Sequence, residues 1–300
     1  MPFRKISTKL VEHYGIDVPE SSAQKITERH AETIKDNEDV HGHVPKRIGQ
    51  DCLICQTDGT MIPIVETYNE NEDGKVIDKR KTRKVCWKEC RLALSRKKGQ
   101  TDYVFGGTMG SADEAGDQWF YSAIRAGLGE NTKAHCVGDG ARWIADQVDR
   151  VFGKGTGYLI DFYHLCEYLS PASEKCSAKD PKKWMDEQKE NLKQGSVDKV
   201  LQALSPHLEV ASAQDADAPV RRCNRYMQNR LDQFDYKSAI ADDLPIGSGE
   251  IESAHRYVIQ DRLKLSGAWW NEKNAGNMLA LRINRENNDW NQYWEDQKAA

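Results

Sequence analysis

The chain is 300 residues long, 38% hydrophobic and 30% charged, which suits a soluble globular protein with one sizeable core and room for a smaller second unit. No run of about eighteen apolar residues occurs and the opening MPFRKISTKL lacks an apolar signal core, so neither membrane insertion nor export is expected and a cytoplasmic location is. The net charge of −4 argues mildly against binding to nucleic acid, unless positive charge is concentrated locally.

The first 48 residues read as a small helical segment. Leu10, Val11 and Tyr14 end at Gly15, a plausible C-cap, and Ser21 or Ser22 is placed to cap a second helix through Ile26, His30 and Ile34. Helix, glycine turn and helix fit both a helix-turn-helix and an ordinary helical hairpin. A polar linker, 36–49, follows. Leu53-Ile54-Cys55 then leads through Asp58-Gly59 into the extended run Met61 to Val65, and Val85 to Leu94 and Tyr103 to Phe105 read as two further strands. Ser111 and Glu114 have capping-box spacing ahead of a helix carrying Trp119, Phe120, Ile124 and Leu128. KAHCVG (133–138) is a short strand ending at Asp139, 141–152 has helical spacing, and Tyr158 to Ile160 is a strand ending at Asp161. Three strands, then helix, strand, helix, strand, predict an α/β fold: an RNase H-like mixed sheet with helices on both faces. No strand signal appears from Phe162 to about Tyr236, where helical spacing prevails, and a last helix begins near Gly249 and is expected to continue past Lys264. The expected organisation is an N-terminal helical segment (1–48), a catalytic core (49–170), an all-helical insertion (171–245) and the C-terminal helices of the core (246–300).

In that strand order the first and fourth strands are neighbours, so Asp58 and Asp139 can share divalent metal. Mg²⁺ is usually held by one or two protein carboxylates, with water and phosphate oxygens filling the rest. Two ions roughly 3.5–4 Å apart activate an attacking oxygen and stabilise a leaving one. Glu252 and Glu250, on the helix opened by PIGSG, are candidates for a third acid. Each position also has a plainer reading: Asp-Gly pairs form turns, and glutamates favour helix N-termini.

The runs GDGARWI (138–144), DFYHLCEYL (161–169) and LPIGSGEIESAHRYV (244–258) resemble bacterial insertion-sequence transposases of the Kra-type DDE family, related more distantly to Mutator-like transposases. TDGTMIPIV (57–65), WKECRL (87–92), RLKLSGAWW (262–270), MLALR (278–282) and NNDWNQYW (287–294) extend the resemblance, in order, over residues 50 to 295. It implies metal-dependent DNA cleavage and strand transfer at the ends of an insertion sequence, with Asp58, Asp139 and Glu252 as the catalytic, metal-holding triad and two Mg²⁺ or Mn²⁺ ions as cofactors. Glu250 ranks second for the third acid. Asp161 and His164 fall where Mutator-like proteins carry a conserved-spacing acid and histidine, and become site-adjacent candidates; a structural hydrogen bond between them is the alternative. Double-stranded DNA, as element ends and as target, is the implied partner, bound by a homodimer at the bacterial nucleoid. A nuclease without strand transfer and a non-catalytic DNA-binding descendant are the competing readings.

The stretch 79–98 is about half Lys or Arg. Lys79, Arg80, Lys81, Arg83 and Lys84 are the candidate contacts to DNA phosphates, against the reading of a solvated face. Cys52, Cys55, Cys86 and Cys90 resemble a zinc set only loosely, and buried small hydrophobes account for them better. Trp143, Trp269, Trp270, Trp290 and Trp294 are expected mostly in the core, and Trp184 either in the core or stacked on an unpaired base.

Overall fold

A computed structural model describes residues 2–299 apart from 39, 41, 69–77, 79 and 80, and apart from the side chain of Arg4. Lys79 and Arg80 therefore lie outside the described residues.

Five strands form a single mixed sheet: β1 (Cys52–Glu66), β2 (Lys84–Lys97), β3 (Val104–Thr108), β4 (Lys133–Gly138) and β5 (Tyr158–Ile160), in the order β3-β2-β1-β4-β5. β1, β2 and β3 pair antiparallel, and β4 pairs parallel with both β1 and β5. This is the RNase H-like order. The parallel pairs arise because helical crossovers separate β3, β4 and β5, whereas β1 and β2, consecutive in the chain, pair antiparallel.

The chain begins with α1 (Ile6–Tyr14) and α2 (Glu20–Asp36). Gly15, at φ 67°, caps α1 as its sequence suggests. Ser21 and Ser22 are not caps: α2 starts at Glu20, so both serines lie inside its first turn. Ala31 and Ile34 are buried in the same cluster as the C-terminal helices, and α2 packs on α12, so α2 is part of the core. α3 (Ala112–Ala126) and α4 (Arg142–Val151) alternate with the strands, and the Ser111–Glu114 capping box opens α3. After β5 come α5 (Phe162–Cys176), α6 (Pro181–Lys193), α7 (Val197–Leu204), α8 (Pro219–Gln228) and α9 (Tyr236–Ala241). α10 (Gly249–Ala254) runs through a π-helical stretch, His255–Gln260, into α11 (Asp261–Leu263), which is capped at Lys264 instead of continuing past it, and two further helices follow, α12 (Glu272–Glu286) and α13 (Trp290–Ala299).

Two hydrophobic clusters flank the sheet. One joins Leu53, Cys55 and Val137 to Trp119 and Ala123 of α3 and Ile144 of α4, and continues through Leu165, Leu192 and Tyr226 into the helices that follow β5. The other joins Ile62, Ile64, Leu92 and Leu94 to Ile251, Val258, Met278 and Leu279. The cysteine pairs divide between them, Cys52 and Cys55 with the first cluster, Cys86 and Cys90 with the second. Trp184 packs against the first cluster. Trp269 departs from expectation: it is 48% exposed, with the Arg83 guanidinium 4.7 Å from its ring centroid, while its neighbour Trp270 is buried. An Arg–Trp cation–π contact keeps a large ring stable at a wet surface. Among the described residues no helix is long and apolar enough to cross a membrane.

Candidate functional site

β4 stops at Gly138, while β1 runs on to Glu66 beside β2. The sheet therefore opens at the carboxyl ends of two parallel strands, the place where open α/β sheets bind their ligands. Gln56 of β1 is opposite Val137 of β4, the last pair of that ladder. Asp58 and Asp139 each lie two residues further on, which brings them out side by side at the opening.

Residues Gln56, Asp58 and Thr60 share one face of β1, because side chains alternate along a strand. Each meets the helical run that starts at Gly249. The fully buried Gln56 amide accepts from the Ile251 backbone N–H (3.0 Å) and donates to the Gly247 carbonyl (3.4 Å). It thereby adds a side-chain acceptor to an N–H at the start of α10 that also bonds the Ser248 carbonyl. Asp58 Oδ2 lies 3.6 Å from His255 Nε2. Thr60 Oγ1 accepts from Lys264 Nζ (2.7 Å). Three successive side chains on one strand face thus fix the height and rotation of α10 against the sheet.

That rotation separates the two glutamates. Ile251 and Ala254 are fully buried and aim α10 at the core. Glu250 turns to Arg96 of β2, which donates from Nη2 (2.6 Å) and Nε (2.9 Å) to its two carboxylate oxygens. Glu252 is exposed, and its negative charge is close enough to act on Asp58. The Asp58 carboxyl is pushed up to about 6, chiefly by burial, with Asp139, Glu252 and Glu89 adding negative charge and the Gly59 N–H partly offsetting them.

Asp139 is held from the other side. Its Oδ1 accepts from the Ala141 N–H (2.8 Å), and its backbone carbonyl accepts from the Tyr226 hydroxyl of α8 (3.1 Å). Gly140 adopts φ 85°, and a Cβ there would come within 2.1 Å of the Tyr226 oxygen, so the Asp-Gly turn requires glycine twice over. Arg230 donates to the Gly140 carbonyl (3.2 Å). The helices after β5 therefore buttress the turn that presents Asp139.

Asp161 and His164 are joined by a structural hydrogen bond, made by the backbone N–H of His164 and not by its ring. Asp161, 2% exposed, caps α5 by accepting from the backbone N–H groups of Tyr163 (2.6 Å) and His164 (3.1 Å). Its other oxygen accepts from Ser248 N (2.6 Å) and Ser248 Oγ (2.6 Å). Asp161 thus ties the start of α5 to the turn that launches α10. The His164 ring lies among Tyr168, Tyr226 and Glu167. Replacing Asp161 by Ala leaves buried N–H groups without acceptors and removes a helix cap. It is expected to cost about 2–4 kcal/mol of stability. Urea unfolding measures this, and an unchanged midpoint would mean the turn is held by other contacts.

The three acids are oxygen donors of the kind hard divalent cations take, and their mutual repulsion, seen in Asp58, is the kind a cation relieves. They remain open: among the described residues no three His, Cys, Asp or Glu side chains are drawn together tightly enough to form a ready set of ligands.

Gln56, Ser248, Tyr226 and His255 carry much of this geometry and were not among the residues singled out from sequence. Their types are ordinary in cores and turns, and only the PIGSG and AHRYV segments around two of them stood out. Of the candidate DNA contacts, Lys81 and Lys84 are exposed around the start of β2 and Arg83 lies over Trp269. Comparison with curated proteins finds no match. One family model matches residues 101–298, taking in Asp139, Asp161, Glu250 and Glu252, with Asp58 ahead of it. By that match over most of its length, the chain belongs to the uncharacterised protein family UPF0236.

Proposed function

We propose that the protein is a DNA-processing phosphoryl-transfer enzyme of the DDE transposase type, with Asp58, Asp139 and Glu252 as its metal-holding acids. The observation that carries this reading is the opening between β1 and β4. Two aspartates emerge there side by side, and a helix locked to the same strand brings Glu252's charge to bear on Asp58. Two Mg²⁺ or Mn²⁺ ions would supply activation of the attacking oxygen and charge neutralisation at the leaving one. The residues' own part is placement. Gln56 sets the register of α10 and hence of Glu252, Tyr226 and Arg230 hold the turn of Asp139, and Arg96 keeps Glu250 occupied away from the other acids. In this reading Lys81, Arg83 and Lys84, with Lys79 and Arg80, contact DNA phosphates. A homodimer on double-stranded DNA, at the nucleoid in the cytoplasm, completes the proposal.

The test is a cleavage assay on duplex DNA carrying the sequences that flank the gene, with Mg²⁺, with Mn²⁺ and with chelator. Metal-dependent breaks leaving 3′-hydroxyls, followed by joined strands, are the expected result. Breaks never followed by joining would point to a nuclease. Binding without cleavage under any metal condition would sink the enzymatic reading in favour of a DNA-binding protein.

A further inference from the structure

His255 stands out among the buried polar groups. It is 3% exposed, and among the described residues neither of its ring nitrogens makes a hydrogen bond of good geometry. A buried imidazole with both nitrogens unsatisfied costs free energy that a packed core normally avoids. The Asp58 backbone carbonyl and Lys264 also lie close enough to act on the ring. A neutral imidazole has one N–H to give. The charged group it faces is Asp58, whose Oδ2 lies 3.6 Å from Nε2, just beyond hydrogen-bond reach.

Its place on the chain is equally particular. His255 follows Glu252 by three residues, one helical turn on, and opens the π-helical stretch. The wider winding of a π segment disrupts the regular ladder, and such segments recur at functional sites. Here Arg282 of α12 donates to the Tyr257 and Val258 carbonyls inside the stretch, so the distortion is held by a specific partner. Glu252, His255 and the π stretch therefore belong to one continuous helical run beside Asp58.

We infer that His255 is a positioning residue for Asp58: its ring N–H closes onto Oδ2 when the acids take up a divalent cation, turning the other carboxylate oxygen toward Asp139 and Glu252. This inference rests on the carboxylate-site reading above. It gives the unpartnered nitrogen an acceptor and assigns the π stretch a purpose, the delivery of that N–H to Asp58. Partners that orient a metal-holding side chain in this way are typically worth about 10–100-fold in metal affinity.

The experiment is Mn²⁺ binding by isothermal titration calorimetry to the full chain and to the variants Asp58→Asn, His255→Phe and His255→Gln, each first checked for a native circular dichroism spectrum. Phe fills the ring's space without an N–H; Gln restores a donor. The expected pattern is measurable Mn²⁺ binding by the unsubstituted chain, none by Asp58→Asn, about tenfold weaker binding by His255→Phe, and recovery to within about threefold by His255→Gln. Equal binding by His255→Phe and the unsubstituted chain overturns the role of His255 and leaves the carboxylate site standing. Equal weakening in Phe and Gln, or a His255→Phe protein that does not fold, makes the residue a packing element and also overturns it. An unsubstituted chain that binds no Mn²⁺ overturns the carboxylate site and the role of His255 together.

Discussion

Glu252→Gln is expected to lower metal-dependent cleavage by about a hundredfold or more, while Glu250→Gln leaves most of it. The side chains differ in what they touch. Among the described residues the Glu252 side chain has no hydrogen-bond partner, and its charge reaches Asp58. Glu250 is engaged by the Arg96 guanidinium in a partly buried pair. Removing its charge leaves Arg96 without its counter-ion, so Glu250→Gln should appear as a loss of stability of about 1–3 kcal/mol, with the rate nearly kept. Cleavage across a Mg²⁺ and Mn²⁺ titration, alongside urea unfolding of both variants, separates the two roles. Loss of cleavage with Glu250→Gln and survival with Glu252→Gln would place the metal-holding acid on the other face of α10.

Asp58→Asn should abolish cleavage and yet make the metal-free protein more stable at neutral pH. The folded-state pKa of Asp58, about 6, lies above the ordinary carboxylate value. A raised folded value means the native state holds the proton more tightly than the unfolded chain does. Its stabilising contribution is complete below the unfolded pKa of about 4 and is lost as pH rises through about 6. Above that, the native state carries an unfavourable charge. The full shift corresponds to about 3 kcal/mol, but Asp58 is partly exposed, and solvent screening reduces this to about 1 kcal/mol. Asn keeps the acceptor for the Gly59 N–H and drops the charge. In metal-free buffer at pH 7.5 the variant should melt about 2–4 °C above the unsubstituted protein. The gap should close toward pH 4, and Mn²⁺ should reverse it by stabilising only the protein with Asp58 intact. Identical melting of the two proteins from pH 4 to 7.5 would show that Asp58 carries no such strain.

The sheet was legible from sequence because its signals are local. KAHCVG and Tyr158–Ile160 are short apolar runs closed by acidic residues, and they form β4 and β5 with those boundaries. The Ser111–Glu114 box and Gly15 are caps whose chemistry is written within a few residues. Strand order then follows from alternation of elements, and it places Asp58 beside Asp139. What holds the opening together was not legible, because it depends on pairs far apart in the chain. Gln56 reaches Ile251, Asp161 reaches Ser248, Tyr226 reaches the carbonyl of Asp139, and nothing in the spacing of a glutamine or a tyrosine announces such a partner. Trp269 was misread for the same reason. Helical spacing near Trp270 suggested burial, but the segment runs along the edge of β1, where Trp270's carbonyl accepts from Val65 N–H and Trp269 is left outside. The π stretch has no sequence signature of its own; it is sustained by Arg282, a residue of another helix.

The dependence of Asp58 on a helix near the far end of the chain has a consequence for biogenesis. Roughly two hundred residues separate Asp58 from Glu252, a span that makes their meeting one of the slowest loop closures in the molecule. During synthesis at about 5–20 residues per second, β1 waits on the order of ten seconds or more before α10 exists to dock on it. A ribosome-bound chain therefore presents the aspartates without their glutamate. On the proposed reading of the site, a product that ends before α10 carries only two of the three acids and is expected not to cut DNA.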